Sequence, residues 1–199
     1  MKKILTIVPA LLITASAFAV EGAGLFVEPM ITYEQGEGEI DYPSPIKDSD
    51  TDVKGFGAGA RLGFHVLDTV FIGADGRYSK PTFKESGFHM NTDAEAWNWG
   101  PTAGVQLPTA VSLRVWGTYI VDGALNPEKD KGIDPNFTEG SGYRLGAGIK
   151  LWMVSLNVEW QKMEFDRTKA KTSLANFDSK KIDVNNDSWI FSVSFPLGL

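Results

Sequence analysis

The sequence predicts an all-β fold, an eight-stranded antiparallel up-and-down transmembrane β-barrel behind a cleaved signal peptide. Three observations predict it. The N-terminus has the form of an export signal, eight later segments alternate apolar and polar residues with period two, and their connections alternate long and short.

The export signal comes first. Met1, Lys2 and Lys3 precede an apolar run from Ile4 to Ile13, relieved only by Thr6 and Pro9, and then the small-residue site Ala17-Phe18-Ala19. Residues 1–19 therefore read as a signal peptide cleaved after Ala19, and residues 20–199 as one barrel domain. The run is too short for an anchored helical span, and no later stretch reaches about 18 consecutive apolar residues. With no cysteine, neither disulfides nor lipid attachment to an N-terminal Cys is available. The formal charge of −6 becomes more negative once Lys2 and Lys3 are lost, which argues against nucleic acid as a partner. Twenty-one glycines and 12% aromatics lean toward strands and turns. Mean hydropathy, −0.12, is that of a water-soluble chain, so membrane residence has to be argued from pattern.

Each segment is placed by its alternation. In the first, Leu25, Val27, Pro29, Ile31 and Tyr33 share one face, and Glu28, Met30, Thr32 and Glu34 the other. The second, 54–65, sets Phe56, Ala58, Ala60, Leu62 and Phe64 against Arg61 and His65. The third, 70–79, sets Val70, Ile72, Ala74, Gly76 and Tyr78 against Asp75 and Arg77. The fourth, 94–107, aligns Trp97, Trp99, Pro101, Ala103, Val105 and Leu107. The fifth, 111–122, sets Val111, Leu113, Val115, Gly117 and Tyr119 against Arg114 and Asp122. The sixth, 141–151, opposes Tyr143, Leu145, Ala147, Ile149 and Leu151 to Arg144 and Lys150. The seventh, 154–162, opposes Val154, Leu156, Val158 and Trp160 to Glu159, and the eighth, 188–199, runs Trp189, Phe191, Val193, Phe195, Leu197, Leu199. No charge falls on an apolar face, and each segment suits a tilted crossing of about 9 to 11 residues. Pro29 and Pro101 each remove a ladder hydrogen bond, which predicts a bulge or local register shift at both.

The connections are 35–53, 66–69, 80–93, 108–110, 123–140, 152–153 and 163–187, long and short in turn. Short turns on one side and long loops on the other are the habit of membrane barrels, and an even strand number puts both termini on the short-turn side. Every segment then carries an outward aromatic at its long-loop end: Tyr33, Phe56, Tyr78, Trp97 or Trp99, Tyr119, Tyr143, Trp160 and Trp189. At 12% aromatics chance does not fill such a ring, whereas an interfacial girdle requires it. The girdle on the other side is thinner, with Phe64, Trp152 and Phe195. A soluble lipocalin-like barrel shares the alternation, but nothing in water calls for Tyr and Trp at one height.

The signal peptide, the eight alternating segments, the long upper loops and the apolar last strand from Trp189 to Leu199 together resemble the small outer-membrane barrel superfamily, which includes the OmpA membrane domain, OmpX and OmpW. The likeness covers the mature chain and is architectural. It implies residence in the bacterial outer membrane as a monomer, contact with outer-membrane lipid and lipopolysaccharide, and a last strand read by the barrel-assembly machinery. In that superfamily the last strand often ends in Phe, where this chain has Leu199.

Eight strands leave a lumen just wide enough for side chains to fill. Its expected charges are Glu28, Glu34, Asp75, Asp122 and Glu159 against Arg61, Arg77, Arg114, Arg144 and Lys150. Equal numbers fit burial, because an unpartnered buried ion costs several kcal/mol. By height, Glu28, Arg61, Asp75, Arg114 and Glu159 fall in one network, with Arg77 and Arg144 higher, near Asp122. This predicts a salt-bridged plug in a protein with a structural or surface-interaction role. The alternative is a narrow pore or transporter for small solutes lined by the same residues, and the third reading is an enzyme that modifies lipid A. For that third reading His89 lies near Ser86 and Glu85, but nothing in the spacing fixes a nucleophile–base–acid geometry. Asp48, Asp50 and Asp52 begin like a calcium loop, yet Val53 and Gly59 stand where such a loop has Gly and Glu. No cofactor, metal or catalytic residue is called for. The first long loop is acidic, and the glycines at 57, 59 and 63 on the polar face make room for arginine and aromatic side chains.

Overall fold

The computed structural model describes residues 23–42, 47–66, 69–87, 89–107, 109, 111–171, 176–179 and 182–198. The expected signal peptide and Leu199 lie outside the described residues. The strands are β1 (Ala23–Asp41), β2 (Ser49–Val66), β3 (Val70–Glu85), β4 (Met90–Gln106), β5 (Val111–Ile120), β6 (Asp122–Pro127), β7 (Asp134–Leu151), β8 (Val154–Lys171), β9 (Asn176–Ser179), β10 (Asp183–Ser194) and β11 (Leu197–Gly198).

All of the strand pairings are antiparallel. β5 runs on into β6 and β10 into β11, so eight walls follow one another around the ring, and β1 closes it by pairing with β2 on one side and with β10 and β11 on the other. β9 is a short addition on β8. Closure removes the edges that would expose unpaired backbone groups, a condition that hydrocarbon surroundings impose strictly. The first and last described residues, Ala23 and Gly198, lie at one end of the barrel, called here the near end. Its turn between β7 and β8 is the two residues Trp152 and Met153, with Trp152 at φ 59°.

The outer face is apolar in a continuous belt. Leu25, Ile31, Leu62, Ile72, Val105, Leu113, Leu145, Leu156 and Phe191 are all exposed. From Leu25 to Tyr33, eight residues at about 3.3 Å with a tilt near 40° span about 20 Å, close to a bilayer's apolar band of about 25 Å. The girdle residues face out at its far-end margin: Phe56 is 69% exposed and Tyr119 62%, and Tyr78, Trp97, Trp99, Tyr143 and Trp189 are exposed with them. Tyr33 packs on Phe56 (ring centroids 5.0 Å apart) and Tyr143 on Trp160 (5.4 Å), so the ring is joined across neighbouring walls.

Beyond the girdle the structure corrects the sequence reading. Most of the residues expected in the long loops 35–53, 80–93, 123–140 and 163–187 continue the strands, and the far-end links shrink to 42–48, 86–89, 128–133 and 172–182, the last containing β9. Alternation persists there with its phase inverted. Glu37, Glu39, Asp50, Asp52, Lys84 and Glu95 face out, while Ile40, Val53, Phe83, Leu125, Phe137, Met163, Phe165 and Val184 face in and form a buried core. Below the girdle lipid suits the outside and polar groups the lumen; above it water is outside, and the apolar positions turn inward. The belt ends where that phase changes.

The two prolines behave differently. At Pro29 no shift occurs, and the β1–β2 register runs unbroken from Ala23↔Val66 to Ile40↔Ser49. The neighbouring wall instead breaks at Phe195 and Pro196 and resumes in the same register, with Phe195 N donating to the Pro29 carbonyl at 3.0 Å. Near Pro101 a shift does occur, on the partner wall. β4 pairs Thr102 with Thr118 below and Trp99 with Asp122 above, so one extra residue, Val121, bulges out at this point. That bulge reverses the facing of the residues of β6, turning Gly123, Leu125 and Pro127 inward.

Candidate functional site

The lumen is filled in three layers, each set by which residues alternation turns inward. At the near end Phe26, Phe71 and Trp116 are buried together, with His65 against Phe26 at 4.7 Å. Small residues opposite them make the room: a Cβ on Gly104 would strike the Phe71 ring, and one on Gly146 the Trp116 indole.

The middle layer is ionic. Asp75 on β3 is its hub, meeting Arg61 (Nη2–Oδ2 3.0 Å), Arg77 (Nε–Oδ1 2.7 Å) and Arg144 (Nη1–Oδ1 2.8 Å). Glu28 on β1 accepts from Arg114 twice, at 2.8 and 2.7 Å, and from Arg61 at 3.2 Å. Glu159 on β8 accepts from Arg77 at 2.9 Å and from the Trp116 indole at 3.0 Å. All seven charged side chains are buried. The Arg61 guanidinium also lies over the Trp116 ring at 4.6 Å, coupling this layer to the aromatic one.

The structure brings together Glu28, Arg61, Asp75, Arg77, Arg114, Arg144 and Glu159 from the expected set. Asp122 is not among them: the Val121 bulge sets it opposite Trp99, where its Oδ1 accepts from Gly123 N at 2.9 Å. Arg77 and Arg144, expected beside it, meet at Asp75 instead. Lys150 is half-buried at the near end of β7 and forms no ion pair among the described residues. Partners that charge counting missed are the neutral ones. Gln161 accepts from Arg144 at 3.0 Å, Ser194 donates to Glu28 at 2.6 Å, and Ser188 donates to Glu34 at 2.7 Å. Their inward parity was the available signal. The third layer is the far-end apolar core described above.

His89 Nδ1 lies 2.5 Å from the Ser86 carbonyl, while the Ser86 hydroxyl meets Ser49 Oγ and Asp50 N, both at 3.2 Å. Asp50 and Asp52 face outward on β2, apart from Asp48, which lies near Glu39 and Asp41.

No protein-family model and no curated protein matches the sequence. Solved structures do share its architecture. Neisserial surface protein A is 16% identical with a TM-score of 0.54, over 88% of this chain and 99% of that one. The outer membrane protein OprG from Pseudomonas aeruginosa is 12% identical at 0.56, over 90% and 97%. The outer membrane protease OmpT from Escherichia coli is 10% identical at 0.52, over 94% and 100%. With its closed ring of eight antiparallel walls, apolar belt and aromatic girdle, the chain has the fold of the small outer-membrane β-barrels.

Proposed function

We propose that this chain is a monomeric, non-enzymatic integral protein of the bacterial outer membrane, with a structural or surface-interaction role and a lumen sealed against ions. The observation that carries the reading is the lumen's three-layer filling: aromatic, ionic and apolar side chains close it at successive heights. An eight-stranded ring has no spare diameter once such layers are in place. Membrane residence is supported by the apolar belt, which far exceeds the patches soluble monomers expose. The protease neighbour lends no chemistry, because one fold hosts many unrelated functions.

Two measurements test the proposal. Protein from the outer-membrane fraction, run in SDS with and without boiling, is expected to shift on heating. Reconstituted in a planar bilayer, it is expected to leave conductance at baseline. Discrete conductance steps would replace the sealed barrel with a narrow pore, and a soluble periplasmic protein with no heat shift would overturn the membrane assignment.

A further inference from the structure

We propose that the far-end outer face of β10, β1 and β2 docks a basic segment of a partner protein in extended form, with one of its Lys or Arg side chains seated in a recess beside Trp160 and Trp189. The inference rests on the membrane and surface-interaction reading above and names the partner's chemistry.

Register lays carboxylates side by side on this face. In the lowest row Asp187, Glu37 and Asp52 adjoin across the three walls, and in the next Glu39 adjoins Asp50. Above them Asp41 and Asp48 bring carboxylate oxygens within 4.8 Å of Glu39. Asp41 is half-buried and the others are exposed. Like charges directly opposite one another destabilise a sheet. On other walls acids are neutralised, Glu95 by Lys80, Glu164 by Lys162, and Glu139 and Asp178 by Arg167. Here none of Glu37, Glu39, Asp50, Asp52 and Asp187 forms an ion pair among the described residues. Lysines stand only at the margin: Lys162 and Lys84 end the lowest row, Lys54 lies below it and Lys47 at the top. The row of Glu39 has none, and runs from Glu164 through Asn185 to Ser86.

A separate feature at the foot of the face suits a single cation. Trp189 lies directly opposite Trp160, and with Phe191, Gln35, Glu37 and Asp187 they line a recess of about 460 Å³. Indole faces attract ammonium and guanidinium groups, and carboxylates at the rim hold them. Height and spacing identify what carries the cation. Trp189 marks the headgroup level. From Glu37 to Asp41 the wall rises about 10 Å more, at about 3.3 Å per residue and a tilt near 40°, beyond the reach of a lipid headgroup. The carboxylate rows recur at every second residue, about 7 Å apart, and an extended chain repeats its same-side side chains at that interval. A basic strand rising from the recess therefore meets one row with each cation, whereas a second copy packed symmetrically here would set carboxylate against carboxylate.

The test places the full chain in nanodiscs of phosphatidylcholine, which has no net charge, and follows a short fluorescent peptide of alternating Lys and Thr by anisotropy. Wild type is expected to bind it, less tightly as salt rises. A peptide alternating Glu and Thr should not bind. One with the same lysines in a single block should bind more weakly, because an extended block turns half of them away. Glu37→Gln, Glu39→Gln, Asp50→Asn and Asp52→Asn together should weaken binding about tenfold, the sum of several exposed ion pairs. Trp189→Leu, which keeps the acids, should weaken it about threefold through the lost cation–π contact. Asp93→Asn with Glu95→Gln on β4 should leave it unchanged. Wild-type binding by the quadruple variant, or equal binding of the Glu or the block peptide, would overturn the proposal. So would loss of binding in discs of phosphatidylethanolamine, which assigns the recess to a lipid headgroup, or a dimer that the quadruple variant lacks, which assigns the face to a second copy. Heat-shifted mobility is read on every sample. A shifted barrel that ignores the peptide sinks this inference alone, and a chain that never shifts fails the membrane reading and this inference with it.

Discussion

Glu28 on β1 and Arg114 on β5 stand four walls apart whichever way the ring is followed, and they meet as a two-pronged pair at 2.8 and 2.7 Å. The pair is a cross-brace over the full width of the lumen. Removing its carboxylate strands Arg114 and takes one partner from Arg61 in a dry interior. Glu28→Ala is expected to cost about 3–5 kcal/mol, the usual penalty for an orphaned buried charge. It would be read as a lower temperature for conversion of the compact SDS band, and an unchanged temperature would mean the brace contributes nothing.

Trp116 joins two layers, donating to Glu159 and lying under Arg61. Trp116→Ala should cost about 3–5 kcal/mol through the cavity it leaves. Conductance should stay at baseline, because the ionic layer and the far-end core still fill the lumen above the gap. Conductance steps in this variant would place the seal in the near-end aromatic layer alone.

Gly146 exists for Trp116: the atoms a Cβ there would meet nearest all belong to the indole. Gly146→Ala is expected to cost about 1–3 kcal/mol by overpacking. In the Trp116→Ala background the same change should cost almost nothing, giving a coupling on the order of the single cost. Simple additivity would show that the ring already moves freely.

The wall below the girdle was legible because each residue there answers to one of two environments, lipid or lumen, and period two sorts them without error from Leu25 to Tyr33 or from Val154 to Trp160. The far-end walls were not legible, since Ile40, Val53 and Phe83 carry the same period in the opposite phase, which reads as a pattern breaking down into loop. Asp122 was misplaced for a related reason: parity counting assumes a regular strand, and one extra residue at Val121 turns it out of the lumen. The arginines and acids of the network follow from inward parity alone. Which arginine meets which acid depends on stagger between walls, and the hub at Asp75 is visible only once the ring is closed.

The far-end core predicts rigidity where long loops were expected. Phe83 is buried among Phe137 and other core residues, with the two rings 6.0 Å apart. Wild-type protein in membranes should resist external protease across the far-end strands. Phe83→Ala, at about 3–5 kcal/mol, should open them to cleavage while the belt strands stay intact. Ready cleavage of wild type at the far end would mean that this core does not hold in the membrane.

Tyr42 gives the far end a titration of its own. Its ring is half-buried against the core, and burial, aided by the negative charge of Glu85, pushes its hydroxyl up to about 12 from an ordinary 10.0. A raised acid group favours its neutral form in the fold. Its contribution is therefore complete below the unfolded value near 10 and is lost as pH rises through about 12. The ultraviolet difference spectrum between wild type and Tyr42→Phe should titrate with a midpoint near 12. The wild-type far end should loosen at alkaline pH in a step that Tyr42→Phe lacks, visible as protease sensitivity arising between pH 10 and 12. A difference spectrum centred near 10 would mean the ring is solvated and the core stops short of it.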